Sequence, residues 1–238
     1  MDKFGLIGHS ISHSLSPALF TAAYNGKYRY ELIDTPDFEE AWRIFDEGYR
    51  AVHVTAPFKV LAARRADILS GEVRTIGAAN ILVHRPEGIV AYNSDYLGVY
   101  GVLSDAAPAP RGMKALIVGF GGAGMAAAQA ARDLGMEVTI CNRSTDKAEG
   151  IRPLSELGIL AAKTDVLVYN IPVGIEGLEE ISAPIILEAN YKTPYLKDAK
   201  CSIYIPGTAW HLRQAVKGYE LMSGEIPDTE RMKTVYRD

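Results

Sequence analysis

Four short stretches put polar side chains where apolar, strand-like runs give out. They are "SHSLSP" with Ser14 and Ser16, "VTAPFK" with Thr55 and Lys59, "GAAN" with Asn80, and "NSD" with Asn93 and Asp95. In an α/β sheet, residues beyond the carboxyl ends of strands line the ligand crevice. Taken one at a time, each has a plainer reading: Ser16 as a helix cap, Asn80 and Asp95 as turn formers, Lys59 as a solvated charge. Taken together, hydroxyls, amides, one lysine and one acid suit a small polyhydroxylated acid, without naming it.

A second chemistry lies in "LIVGFGGAG" (residues 116–124), where Gly119, Gly121 and Gly124 form G-x-G-x-x-G between an apolar run and an Ala-rich helix. Such glycines permit a tight turn and close approach of backbone to a pyrophosphate, and the helix N-terminus supplies N–H donors. Gly119, Gly121, Gly122, Ala123 and Gly124 are therefore candidate dinucleotide contacts. An NAD enzyme would carry an acid about 20 residues further on, at the end of the next strand. Here that place reads "CNRST", with no acid before Asp146. Arg143 would pair with a 2′-phosphate, so NADP(H) is the expected cofactor, with Asn142, Arg143 and Ser144 facing it.

The elements that must position these groups alternate. "KFGLIG" is a strand, and "SPALFTAAYNG" a helix with Ser16 as N-cap, Pro17 at its first position and Gly26 as its stop. "YRYELID" is a strand, "DFEEAWRIFDEG" an amphipathic helix, "RAVHVTA" a strand and "KVLAARRADIL" a helix. "AANILVHRPEGIVAYNSD" reads as a hairpin turning at Pro86, Glu87 and Gly88, followed by the helix "SDYLGVYGVLSDAA". After a linker, "PAPRG" (residues 108–112), strands and helices alternate again up to "CSIYIPG", and the tail is helical. The expectation is an α/β fold of two domains with a cleft between them. Residues 1–104 would form a substrate domain with a mixed, mainly parallel sheet. Residues 105–207 would form a Rossmann cofactor domain, and helices within 208–238 would pack back onto the first.

Composition narrows the class. At 238 residues, 48% hydrophobic and 23% charged, the chain can build two cores. With a net charge of −4 and no Lys/Arg cluster, a nucleic-acid partner is not expected. "KFGLIG" follows the first residues directly, with no basic-then-apolar leader. Four glycines break up "ALIVGFGGAGMAAAQAA" (residues 115–131), so it is not read as a membrane span. Cys141 and Cys201 lie far apart in apolar runs, without metal-ligand spacing, and are expected to be reduced and buried. A cytoplasmic protein without a metal is expected, monomeric or homodimeric, with Tyr96 and Tyr100 read as core or interface residues and core preferred.

Along nearly its whole length the sequence resembles the shikimate dehydrogenase family. "GHSISHSLSP" (residues 8–17) is similar to that family's G-N-P-I-x-H-S-x-S-P, "HVTAPFK" to N-V-T-x-P-x-K, "GAANI" to G-A-x-N-T and "NSDYLG" to N-T-D-x-x-G. "GFGGAG", "NRS" and "GTAWHLRQA" resemble its G-x-G-G-x, N-R-T and G-x-x-x-L-x-x-Q-A. The resemblance implies reversible, NADPH-dependent reduction of 3-dehydroshikimate to shikimate. It implies that Ser14 and Ser16 hold the substrate carboxylate, with Tyr191 a further contact, and that Asn80, Asp95 and Gln214 hold ring hydroxyls near Thr55. Lys59 and Asp95 would form the catalytic pair, and Gly207, opening the last motif, would lie on the cofactor side.

Several positions depart from the pattern. His53 stands for Asn, Ile81 for Thr, Ser94 for Thr, Tyr169 for Asn, Ile175 for Met and Glu188 for Asp. The segment between "NRS" and "DVLVYN" is shorter than usual by more than ten residues, which trims a helix or strand of the cofactor domain. His53 and Ile81 leave open a relative acting on quinate or another cyclic polyhydroxy acid. A ligand-binding relative without turnover is the third reading, against which the retention of both Lys59 and Asp95 counts.

Overall fold

The computed structural model describes residues 2–146 and 148–236. Up to the hairpin the elements are β1 (Lys3–Gly8), α1 (Ser16–Tyr24), β2 (Arg29–Asp34), α2 (Phe38–Gly48), β3 (Ala51–Val54), α3 (Lys59–Arg65), β4 (Ile68–Leu69), α4 (Gly71–Ile76), β5 (Ile81–Arg85) and β6 (Gly88–Tyr92). The strands form one sheet in the order β2-β1-β3-β5-β6-β4. β1 pairs in parallel with β2 and β3, and β4 with β6, whereas β3–β5 and the β5–β6 hairpin are antiparallel. Phe38, Ala41, Trp42 and Phe45 are buried on one face of α2, and the Asp37 carboxylate caps its start by accepting from Glu39 N at 3.0 Å.

From there the chain forms α5 (Ser94–Ala106), β7 (Lys114–Val118), α6 (Gly122–Asp133), β8 (Glu137–Asn142), β9 (Arg152–Pro153), α7 (Leu157–Ala161), β10 (Val166–Tyr169), β11 (Ile185–Glu188), β12 (Ile203–Ile205), α8 (Gly207–Ser223) and α9 (Thr229–Thr234). The second sheet is wholly parallel, in the order β12-β11-β10-β7-β8-β9. This is the doubly wound dinucleotide-binding order, with its reversal between β7 and β10. Its central strands β7, β10 and β11 are apolar apart from Lys114 and Glu188 at their ends, as fits strands covered by helices on both faces. Among its described residues, the shortened stretch after β8 holds two-residue β9, a single 3-10 turn and five-residue α7.

Three local expectations change. The segment read as one helix, "KVLAARRADIL", stops at Arg65. Asp67 donates its N–H to Ile89 O at 3.0 Å, and its carboxylate accepts from Ile89 N at 2.8 Å. That exchange draws Ile68 and Leu69 into the sheet beside β6, and α4 follows. Ser16 is the first helical residue rather than the cap, and its N–H donates to Ser14 Oγ at 3.2 Å. Asn25, at φ 51°, ends α1 before Gly26 is reached.

The chain divides into two compact units at Ser94/Asp95, ahead of the "PAPRG" linker, and again within α8 at Arg213/Gln214. The reason for the earlier break is packing: Val99, Val102 and Leu103 of α5 share a core with Ala115 and Ile117 of β7 and Ala127 of α6. Residues from Gln214 onward belong with the first unit, where Tyr24 Oη lies 2.7 Å from Ser223 Oγ and Asp228 N donates to Ala23 O at 2.9 Å. Cys141 and Cys201 are both free thiols, and Cys201 is only half-buried, just ahead of β12 rather than within a strand. No helix among the described residues is long and apolar enough to cross a membrane.

Candidate active site

In the first unit the carboxyl ends of the strands are organised by Asp34. Its two carboxylate oxygens accept from Ser10 N at 2.7 Å and Ile11 N at 3.0 Å, fixing the loop that leaves β1, with Ser10 at φ 57°. The same loop needs Gly8: a Cβ there would lie 2.5 Å from Thr55 Cγ2 and 2.6 Å from Ile11 Cγ2. The loop delivers Ser14 and Ser16 side by side, their hydroxyls 3.1 Å apart. Tyr219 donates to Ser16 O at 3.1 Å, and the hydroxyls of Tyr30 and Tyr219 both reach the Ser16 side chain. Burial raises the pKa of both tyrosines, so each stays a neutral O–H donor.

Thr55 follows β3, held by its N–H donating to Ile7 O at 2.8 Å, and Lys59 opens α3 four residues later. Asn80, Ser94 and Gln214 meet as one network. Ser94 N donates to Asn80 Oδ1 at 2.7 Å, Asn80 Nδ2 donates to Ser94 Oγ at 3.1 Å, and Ser94 Oγ donates to Gln214 Oε1 at 2.9 Å. Asn80 is only 3% exposed, so its amide is first of all a strut. Asn93, fully buried, ties the hairpin end to Ala78 O at 2.8 Å.

The second unit carries the glycine turn. Gly119 has φ 92°, and a Cβ on Gly124 would lie 2.1 Å from Gly119 O, so only glycine lets α6 start this close to β7. Gly121 is the N-cap of α6, with nothing within 4 Å of where a Cβ would sit. Gly122 and Ala123 begin the helix. Asn142 Oδ1 accepts from Phe120 N at 3.1 Å and its Nδ2 donates to Ser144 O at 2.9 Å, lacing the turn to the loop after β8. Arg143 is exposed between them. An open, side-chain-free helix N-terminus with an exposed arginine at the next strand end fits a phosphorylated dinucleotide.

Asp95 is the second residue of α5, and its carbonyl accepts from Trp210 Nε1 at 3.0 Å. Tyr191 stacks on His211 with ring centroids 4.4 Å apart and planes at 15°. Gly207 has a packing reason of its own, since a Cβ there would lie 2.7 Å from Ala189 O. Lys59 thus belongs to the first unit and Asp95 and Tyr191 to the second. Among the described residues no three His, Cys, Asp or Glu side chains gather as a metal site.

Sequence reasoning passed over Asp34 and His211 and noted Glu188 only as a departure. Glu188 is fully buried at the end of β11, accepting from Tyr195 N at 2.6 Å, Leu196 N at 3.0 Å and Tyr204 Oη at 2.9 Å. It pins the loop that carries Tyr191. Asp34 and Glu188 share one signal, an acid closing a strand. His211 had no signal in the sequence.

Replacing Glu188 by Ala strands three donors, each costing about 1–3 kcal/mol when unsatisfied. Thermal denaturation of Glu188→Ala should show Tm lowered by roughly 6–12 °C, for a loss of about 3 kcal/mol. Burial holds the half-buried His211 imidazole down at about 4; neighbouring Asp95 opposes this and Lys192 adds to it. Unfolded, the ring takes its proton near 6.5. Between those values the unfolded chain binds more protons, so stability falls as pH drops from about 6.5 toward about 4. A series of Tm values across that window should fall less steeply for His211→Gln than for the native chain.

A doubly wound cofactor unit, on one chain with a second α/β unit whose strand ends carry serines, a lysine, amides and buried tyrosines, defines a nicotinamide-dependent oxidoreductase acting on a small polar molecule. Residues 6–82 match the shikimate dehydrogenase substrate binding domain, and residues 104–185 the NAD binding domain of D-isomer specific 2-hydroxyacid dehydrogenases. The shikimate dehydrogenase (NADP(+)) of Archaeoglobus fulgidus is 32% identical, the match covering 98% of this chain and 97% of that one. The crystal structure of Mycobacterium tuberculosis shikimate dehydrogenase superposes with a TM-score of 0.85 at 31% identity, covering 100% and 99% of the two chains. That of Thermus thermophilus shikimate 5-dehydrogenase, in complex with NADP(H) and shikimate, gives 0.82 at 27%, with the same coverage. The chain belongs to the shikimate dehydrogenase family.

Proposed function

We propose that the protein is an NADP-dependent shikimate dehydrogenase, reducing the ring ketone of 3-dehydroshikimate reversibly to shikimate. The observation that carries this is the buried Asn80–Ser94–Gln214 network in the same unit as the paired serines and Lys59, in a member of this family. Amides and hydroxyls at strand ends suit ring hydroxyls, and Ser14 with Ser16 suit a carboxylate. Thr55 and Tyr191 complete the substrate set. The first unit is assigned to substrate and the second to cofactor. The reading places the enzyme in the cytoplasm, as a monomer or homodimer.

Bound NADPH supplies the hydride. The chain's own task is the oxygen, which gains negative charge as the carbonyl is reduced. The Lys59 ammonium would stabilise that charge and deliver a proton to the oxygen, with the Asp95 carboxylate as the second member of the catalytic pair. Gly119, Gly121, Gly122, Ala123 and Gly124 would hold the pyrophosphate. Arg143 would hold the 2′-phosphate, with Asn142 and Ser144 shaping the loop around it and Gly207 seating the start of α8.

Lys59→Ala should lower kcat by about 10²–10⁴, while the NADPH Kd, read by cofactor fluorescence, stays nearly constant; near-native turnover would refute the role. For Arg143→Ala, KM for NADP should rise about tenfold or more, as expected for loss of a charge-assisted pair, with little change toward NAD. The whole reading is tested by absorbance of the nicotinamide band with shikimate or quinate against NADP or NAD. Reduction of NADP by shikimate supports it. Reduction with quinate alone transfers the assignment to that acid, and silence in every combination marks a binder.

A further inference from the structure

His53 and Ile81, the two departures that bear most on substrate identity, are partners in the structure. They face each other in the antiparallel register of β3 and β5. Both are buried, and both meet one residue of α8. A Cβ added to Gly218 would lie 2.5 Å from His53 Nε2, 3.1 Å from His53 Cε1 and 3.0 Å from Ile81 Cδ1. A glycine within a 17-residue helix is unfavourable by about 1 kcal/mol relative to alanine, and this close approach supplies the reason for it. The imidazole is held on its other sides by Tyr30, whose hydroxyl is 3.3 Å from Nδ1, and by Tyr219, edge-on at 5.2 Å.

Gln214 lies one helical turn before Gly218, on the same face of α8. There it accepts from Ser94 Oγ at 2.9 Å, and Ser94 N donates in turn to Asn80 Oδ1 at 2.7 Å. Asn80 directly precedes Ile81, and its carbonyl accepts from Val54 N, next to His53, at 2.8 Å. The depth at which α8 rests on His53 and Ile81 therefore fixes how Gln214 meets Ser94.

We propose that His53, Ile81 and Gly218 are a size-matched unit that seats α8, making His53 a positioning residue for Gln214 rather than a substrate contact. This rests on the assignment of Gln214 to the substrate site. It accounts for the Asn-to-His and Thr-to-Ile departures together: both enlarge the surface that the helix must meet, and a glycine in the helix receives them.

The test is a double-mutant cycle on the full-length protein, with His53→Asn, Gly218→Ala, the two combined, and His53→Gln. Gly218→Ala should raise KM for shikimate about tenfold through overpacking, with a smaller change in kcat and an unchanged NADPH Kd. Adding His53→Asn to it should recover at least about threefold of that loss, because close-packed neighbours are non-additive. His53→Gln, whose amide reaches about as far as Nε2, should keep a KM near native. Additive single effects, or a His53→Gln variant as impaired as His53→Asn, would overturn the proposal. The same coupling must appear in Tm, which needs no substrate. Absence of shikimate turnover by the native protein would therefore sink the proposed activity alone, whereas additive Tm values would sink the size matching. Should Gly218→Ala fail to fold, a folded double variant supports the proposal, and failure of both leaves the comparison of His53→Gln with His53→Asn to decide it.

Discussion

The first unit depends on satisfying one buried amide. Asn80 ends the approach to β5 with almost no access to water, so its carbonyl oxygen and NH₂ must both be paired inside the protein. Ser94 meets both demands, with its N–H and its hydroxyl, at the place where the hairpin gives way to α5. The hydroxyl then donates its own hydrogen bond to Gln214 Oε1 of α8. One network thus joins three stretches separated by many residues in sequence, and the groups assigned to ring hydroxyls are held by the same bonds that hold the sheet together.

The second unit rests on a steric constraint instead. Gly124 allows α6 to begin against the carbonyl of Gly119, and that short approach aims the helix N-terminus outward from the sheet. Ala126, Ala127, Ala128, Ala130 and Ala131 continue the idea, keeping the helix close with small buried side chains. Asn142 then binds the turn to the end of β8, so the backbone that would face phosphate is tied to the loop that would face the 2′-phosphate.

Much of this was legible in the sequence because it is local. Glycine spacing, alternating apolar runs and the Pro86-Glu87 turn each act over a few residues. What escaped depends on partners far away. Nothing within "KVLAARRADIL" reveals that Asp67 will pair with Ile89 and pull two residues out of the helix. Nothing in "PAPRG" shows that α5 packs with the second sheet, which moves the division of the chain ahead of the linker. The candidate site residues rest on type and on resemblance. The acids that hold their loops were not found that way, because Asp34 and Glu188 work by accepting backbone N–H groups, a role their local sequence does not distinguish from a turn.

The surroundings of Ser14 and Ser16 bear on how an acid substrate would be held. No lysine or arginine is needed there in the proposed scheme; hydroxyls do the work. Tyr30 and Tyr219 approach Ser16 from a buried setting that keeps them protonated, so they bring no competing negative charge to it. Directional O–H donors hold a carboxylate in one orientation, whereas a lone lysine would hold it as a point charge and permit rotation. The proposed scheme would keep Lys59 for the reacting oxygen, since no second cation in it draws the substrate acid away from the serines. In that scheme the Lys59 charge would serve the reacting oxygen, and neutral groups would serve recognition.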